Sequence, residues 1–82
     1  MTAITYSEAL PAVQGSINAL FNPDQPIEPD TALNALGVDD LSGLELAAYL
    51  EDRFGVEVNV APVGASTVKD LAEELVKATA NA

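Results

Sequence analysis

Eighty-two residues make one small domain, and a chain of this size buries only roughly 60% of the surface its unfolded form exposes, so it supports a single modest core. The absence of cysteine excludes a disulfide framework, a thiolate metal site and a thiol nucleophile. Thirteen acids against three bases leave a formal charge of −10, which disfavours nucleic acid as a ligand and favours partners with basic surfaces.

The opening residues, MTAITYSEAL, have no basic region followed by a long apolar run, and no apolar stretch approaches membrane-spanning length. The expectation is a soluble, cytoplasmic protein without membrane association. Val13, Ile17, Leu20 and Phe21 follow an i, i+4, i+7, i+8 spacing, which predicts a first amphipathic helix ending at Asn22-Pro23. Thr5 with Glu8 matches a capping box, yet a helix begun there encloses Pro11. The spacing therefore predicts either a kink near Ser7 or a start at Pro11.

From Asn22 to Ala35, NPDQPIEPDTALNA contains three of the five prolines and no sustained period. It reads as a long ordered loop tied to the core by Ile27 and Leu33. A second helix is predicted from about Leu41 to Phe54. Leu46, Leu50 and Phe54 face the interior, while Glu45, Glu51 and Asp52 lie on or beside the opposite face. Asp39 or Asp40 caps its start, and Gly55 ends it. VEVNVAP, Val56 to Pro62, alternates as a strand does, but a lone strand has nothing to pair with; an extended loop is predicted, with one helical turn near Pro62 to Ala65. The last helix opens at Ser66 or Thr67 and buries Val68, Leu71, Ala72, Leu75 and Val76. The fold class is thus all-α, a small bundle of three to four helices with a long loop between the first two. It forms a single domain over residues 1–82 with frayed ends at 1–4 and 78–82.

Other chemistry finds little support. Asp39, Asp40 and Glu45 lack the regular oxygen-ligand spacing of a calcium loop, as does NPDQPIEPD, so no metal is expected. There is no histidine and no serine with an evident base beside it, so an enzyme is not expected. Tyr6 and Tyr49 read as packing residues with a solvated hydroxyl. Gly37, Gly43 and Gly55 read as turn and helix-end glycines.

The run IEPDTALNALGVDDLSGLELAAYLEDRFGVEV, Ile27 to Val58, together with STVKDLAEEL, Ser66 to Leu75, resembles the acyl carrier protein family. It matches that family's order of Ile-x-Pro-(Asp/Glu)-(Thr/Ser), Leu-Gly-x-Asp-Ser-Leu, Glu-Leu, Leu-Glu-x-x-Phe-Gly and Thr-Val-x-Asp-Leu. In that family the serine takes a 4'-phosphopantetheine arm whose thiol carries the acyl chain. Registering the chain by Leu36-Gly37, Asp39, Leu41 and Glu45-Leu46 places Asp40 on the serine position. The resemblance therefore implies an attachment site at Asp40, flanked by Asp39 and Leu41, with no arm on this chain and one expected in a serine-bearing parent or an Asp40→Ser variant. Ser42 is no substitute, because two residues rotate a side chain by about 200° around a helix. At Asp40, aspartate equals serine as a helix cap and keeps the single negative charge of a phosphodiester.

The resemblance further implies a freestanding monomer of fatty-acid or polyketide synthesis that docks through its second helix. Leu44 and Ala48 would be the apolar contacts and Glu45, Glu51 and Asp52 the acids. Its partners would be synthase enzymes with basic docking surfaces: ketosynthase, acyltransferase and phosphopantetheinyl transferase. Arg53 departs from the acidic trend. Three readings stand side by side: a cargo carrier whose serine has been replaced, a natural carrier-like binding or regulatory module without cargo, and an acidic helical adaptor unrelated to carriers.

Overall fold

The computed structural model describes residues 3–58 and 66–81, so the helical turn expected near Pro62 to Ala65 lies outside the described residues. Helix α1 spans Tyr6–Phe21, α2 spans Asp40–Phe54 and α3 spans Val68–Ala80, with a short 3-10 helix at Leu33–Leu36 inside the long loop. Among the described residues the extended backbone pairs only as an isolated antiparallel bridge between Ala32 and Thr67. The all-α expectation holds, and the 3-10 helix is the element that sequence spacing did not foresee.

Helix α1 opens at Tyr6, behind the Thr5 cap rather than at Pro11, the other start the spacing allows. The Thr5 hydroxyl accepts from the Glu8 amide at 3.3 Å, and the Glu8 carboxylate accepts from the Thr5 amide at 3.0 Å. This capping box satisfies donors that a helix start otherwise leaves orphaned. Pro11 sits inside the helix, where it forfeits the bond its amide would give the Ser7 carbonyl. Both residues are exposed, so water can take that place. At the other end Asn22 adopts a left-handed conformation, φ 43°, and its amide closes on the Asn18 carbonyl. The buried stripe of α1 is Ala9, Val13, Ser16 and Ile17. Leu20 does not belong to it: residues 18–20 are all exposed, and Leu20 itself keeps 40% of its surface.

The proline-rich loop is ordered, as expected, because it is fastened at both ends. Leu33 is buried, Ile27 packs half-buried against the core, and the Ile27 carbonyl accepts from the Gln14 side chain at 2.6 Å. Gln25 donates in the same way to the Ala35 carbonyl. Farther along, loop carbonyls complete the start of α3: the Val68 amide donates to Thr31 at 3.0 Å and the Lys69 amide to Pro29 at 2.8 Å. Thr67, one of the two expected caps, accepts from Asp70 while Asp70 accepts from Thr67, a second capping box.

One hydrophobic cluster gathers all of these pieces. Val13 and Ile17 of α1, Leu46 and Leu50 of α2, and Val68, Ala72 and Leu75 of α3 are each at most 1% exposed. Of the expected stripe on α3, Val76 is only half-buried, and of the inward face of α2, so is Phe54. Residues 78–80, within the end expected to fray, are helical. Helix α3 continues to Ala80, and Thr79, 1% exposed, accepts from the Ile4 amide at 3.1 Å. Burial of that hydroxyl with its partner joins the first residues to the last helix.

The two sides of α2 should respond differently to truncation. Leu50→Ala removes a fully buried side chain and should cost about 2–5 kcal/mol by chemical denaturation. Leu44→Ala, at a position 63% exposed, should stay within about 0.5 kcal/mol of the parent.

Candidate functional site

The residues that the sequence singled out converge on the first turn and outer face of α2. Their placement begins one turn earlier. Leu36 and Val38 are buried, and between them Gly37 adopts φ 86°, a conformation that side chains disfavour. The Val38 amide donates to the Leu33 carbonyl at 3.2 Å, closing the 3-10 turn just before the helix. Asp39 and Asp40 are thereby held at the surface beside an anchored valine.

Asp39, not Asp40, is the cap. Its backbone is extended, φ −103° and ψ −175°, and its Oδ1 accepts from the Ser42 amide at 2.7 Å. Asp40 is the first residue of α2, so its carboxylate meets the positive end of the helix dipole without capping a particular amide. It is exposed, and no hydrogen bond among the described residues involves its side chain. The reason for the difference is positional: only a residue outside the helix, with extended backbone, can turn its side chain back over the first turn. Ser42, two residues later, is half-buried, in keeping with the rotation expected of it. Gly43 is not a turn glycine, since it lies buried within α2.

Leu41 and Leu44 are 74% and 63% exposed, the most exposed of the large hydrophobic side chains. Glu45, Ala48 and Asp52 are exposed as well, and the spacing 41, 44, 45, 48, 52 places all five along one face of the helix. The opposite face is buried through Leu46, Ala47 and Leu50. Glu51 stands apart from the exposed acids. It is half-buried, and its carboxylate accepts from the Val58 amide at 2.9 Å, tying the end of α2 to the chain beyond it. The helix itself ends at Gly55, φ 69°, whose amide donates to the Glu51 carbonyl at 2.7 Å. Arg53 lies exposed with its guanidinium 5.7 Å from the centre of the Phe54 ring.

Among the described residues, depressions of about 520 and 460 Å3 lie along α3, and neither is lined by a residue of the Asp39–Asp52 face. Among the described residues no group of three or more acids converges to hold a metal ion, and no helix is long and apolar enough to cross a membrane. The site offers one fixed carboxylate, one free carboxylate and an apolar strip with an acidic border.

The Ser42 amide, and after it the Ser42 hydroxyl, hold the Asp39 carboxyl below its ordinary value of 3.8. A carboxyl with a lowered folded-state pKa contributes stability above its unfolded value and loses that contribution as pH falls through the folded value. Asp39→Asn keeps a capping side chain but cannot titrate. Denaturant midpoints for the parent and Asp39→Asn should therefore differ at pH 6 and draw together as pH falls below the ordinary carboxyl value of 3.8, the parent losing its advantage.

Residues 12–75 match the family model for the phosphopantetheine attachment site. A non-reducing polyketide synthase of Stachybotrys bisbyi is 37% identical over 67 residues, 80% of this chain and 3% of that protein. A phenolphthiocerol/phthiocerol polyketide synthase polypeptide of Mycobacterium tuberculosis is 40% identical over 65 residues, 78% of this chain and again 3% of that protein. A non-reducing polyketide synthase of Preussia isomera is 33% identical over 69 residues, 84% of this chain and 3% of that protein. The chain thus spans about 3% of the length of the relatives it matches. No solved structure matches with significance. The matched span runs from the middle of α1 through the loop and α2 to Leu75 of α3, and it takes in every residue of the site described above, so the chain belongs to the phosphopantetheine-attachment family of carrier domains, which are not catalysts themselves.

Proposed function

We propose that this chain is a carrier-type docking module of polyketide assembly that presents α2 to synthase enzymes and holds no phosphopantetheine arm. The observation that carries the reading is Asp40: it is exposed at the first position of a well-formed α2, where the family register asks for a serine. Everything around it keeps the form that the register implies. Asp39 caps, Leu41 is exposed beside it, and the helix buries its inner face.

The residues present do not fit the arm. Attachment forms a phosphodiester on a hydroxyl oxygen, whereas a carboxylate in that place could give only a mixed anhydride with phosphate, which water cleaves. Ser42, the nearest hydroxyl, is half-buried beside the Asp39 carboxylate. Docking needs neither group. Leu44 and Ala48 supply apolar contact and Glu45 and Asp52 supply charge, with Glu51 contributing from the end of the helix, where it also holds Val58. Opposite charge speeds encounter and sets orientation more than it adds affinity, which suits a module that meets several enzymes in turn. Ketosynthases, acyltransferases and phosphopantetheinyl transferases are the partners this chemistry favours, in polyketide or fatty-acid synthesis within the cytoplasm.

Incubation with coenzyme A and a broad-specificity phosphopantetheinyl transferase tests the reading by intact-protein mass spectrometry. The chain as it stands should keep its mass, and Asp40→Ser should gain one phosphopantetheine. The exchange should cost little stability, because an exposed first-turn carboxylate contributes only about 0.3–1 kcal/mol through the helix dipole. Loading of the unaltered chain, abolished by Ser42→Ala, would overturn the register.

Docking is tested separately by reversing Glu45 and Asp52 to lysine. At low salt, association with a synthase enzyme should slow by about tenfold and lose much of its salt dependence, while the circular dichroism spectrum stays the same. Unchanged association would remove this face from the docking surface.

A further inference from the structure

We infer that the chain competes with arm-bearing carriers for enzymes that act on loaded carriers, and that the Asp40 carboxylate supplies the charge of the missing phosphodiester. The inference rests on the docking reading above and adds what docking without an arm would accomplish.

Three observations carry it. First, the docking face is built without help from an arm. Asp39 caps α2, Leu46 and Leu50 fix its inner side, and Gly55 closes its end. The outer strip is consequently pre-organised, and binding it requires little further ordering. Second, the Asp40 carboxylate is exposed and engages no partner within the described residues. A phosphodiester on a serine oxygen carries one negative charge at the same point of the helix. Its outer oxygens stand three bonds from the β-carbon and those of aspartate two, a difference that a flexible lysine or arginine on the partner can cover. Third, the chain contains no cysteine, so it has no thiol to accept an acyl group as a thioester. A docked copy would occupy the enzyme without turning over.

Charge also identifies the occupant. A second copy of this chain is disfavoured, since Asp40, Glu45 and Asp52 would face their own counterparts on a body of net charge −10. A partner with an apolar depression bordered by lysine or arginine fits both the exposed Leu41 and Leu44 and the acids around them.

The experiment uses a serine-bearing carrier domain loaded with phosphopantetheine, malonyl coenzyme A, and a synthase acyltransferase that moves the malonyl group onto the arm thiol with release of coenzyme A. The acyltransferase is chosen as one that shifts the amide resonances of Leu41 to Asp52 when added to this chain. Adding the chain at a concentration equal to its own Kd for the acyltransferase, read from the titration of those resonances, should about double the apparent KM for the loaded carrier, with kcat unchanged. Asp40→Asn, which removes the charge and keeps the shape, should inhibit about two- to fivefold less strongly, as loss of one exposed ion pair implies. Unloaded Asp40→Ser should weaken inhibition by the same amount. Resonance shifts without any rise in KM would overturn the inference and leave the docking reading standing. Equal inhibition by Asp40→Asn would overturn the role given to Asp40. If no ketosynthase, acyltransferase or phosphopantetheinyl transferase shifts the α2 resonances, the docking reading falls and the inference falls with it.

Discussion

The arrangement of this small protein depends on how the proline-rich loop completes the start of α3. A helix leaves its first amides without internal partners, and buried or half-buried amides left unpaired are costly. Here the Val68 and Lys69 amides are satisfied by the Thr31 and Pro29 carbonyls, and the Asp70 amide by the Thr67 hydroxyl. In the opposite direction the Leu33 amide donates to the Ser66 carbonyl. Residues more than thirty positions apart are thereby held as neighbours. With the loop fixed there, Leu33 and Leu36 reach the core, Gly37 turns, and Val38 anchors the chain just ahead of α2. The position of Asp39 and Asp40 is a consequence of that chain of constraints.

Helix α2 keeps its packed side and its solvent-facing side apart. Its mean pattern is weakly amphipathic because leucines lie on both sides, four of them between Leu41 and Leu50. Leu46 and Leu50 are buried while Leu41 and Leu44 are largely exposed. Leu41 and Leu44 stand beside exposed carboxylates on the same face, the combination on which the proposed docking surface rests. The separation of faces means that changes on the outer strip leave the core intact, and changes in the core leave the chemistry of the outer strip in place.

The acids divide by function along the same lines. Asp39, Asp70 and Glu8 are engaged at helix starts, and Glu51 at the Val58 amide. These carboxylates are part of the fold, despite being charged and near the surface. Asp40, Glu45 and Asp52 carry no such bond among the described residues. Formal charge alone treats all of them as equal, and only the hydrogen bonds tell the structural acids from those free to meet a partner.

What sequence alone determined follows from short-range physics. Helix periodicity, the Asn22-Pro23 and Gly55 stops and the inward Leu46 and Leu50 are all set by neighbours within a turn or two, and each is where the spacing placed it; the α3 cap is Thr67, one of the two residues the spacing allows. The order of family motifs from Ile27 to Leu75 likewise needs only the chain. Tertiary structure decided the rest. Whether Thr5 or Pro11 opened α1 turned on the balance between a capping box and one lost bond at an exposed carbonyl. Leu20 lost its place in the core because the end of α1 turns Phe21 rather than Leu20 toward the cluster, and Thr79 gained one because Ile4 reaches it. The loop's 3-10 turn forms where Leu33 is held by Ser66. Asp39 rather than Asp40 became the cap because buried Val38 fixes the phase at which the chain enters the helix. Apart from the start of α1, which contacts within a turn settle, each outcome depends on packing against segments far away in sequence, where no local pattern can register it.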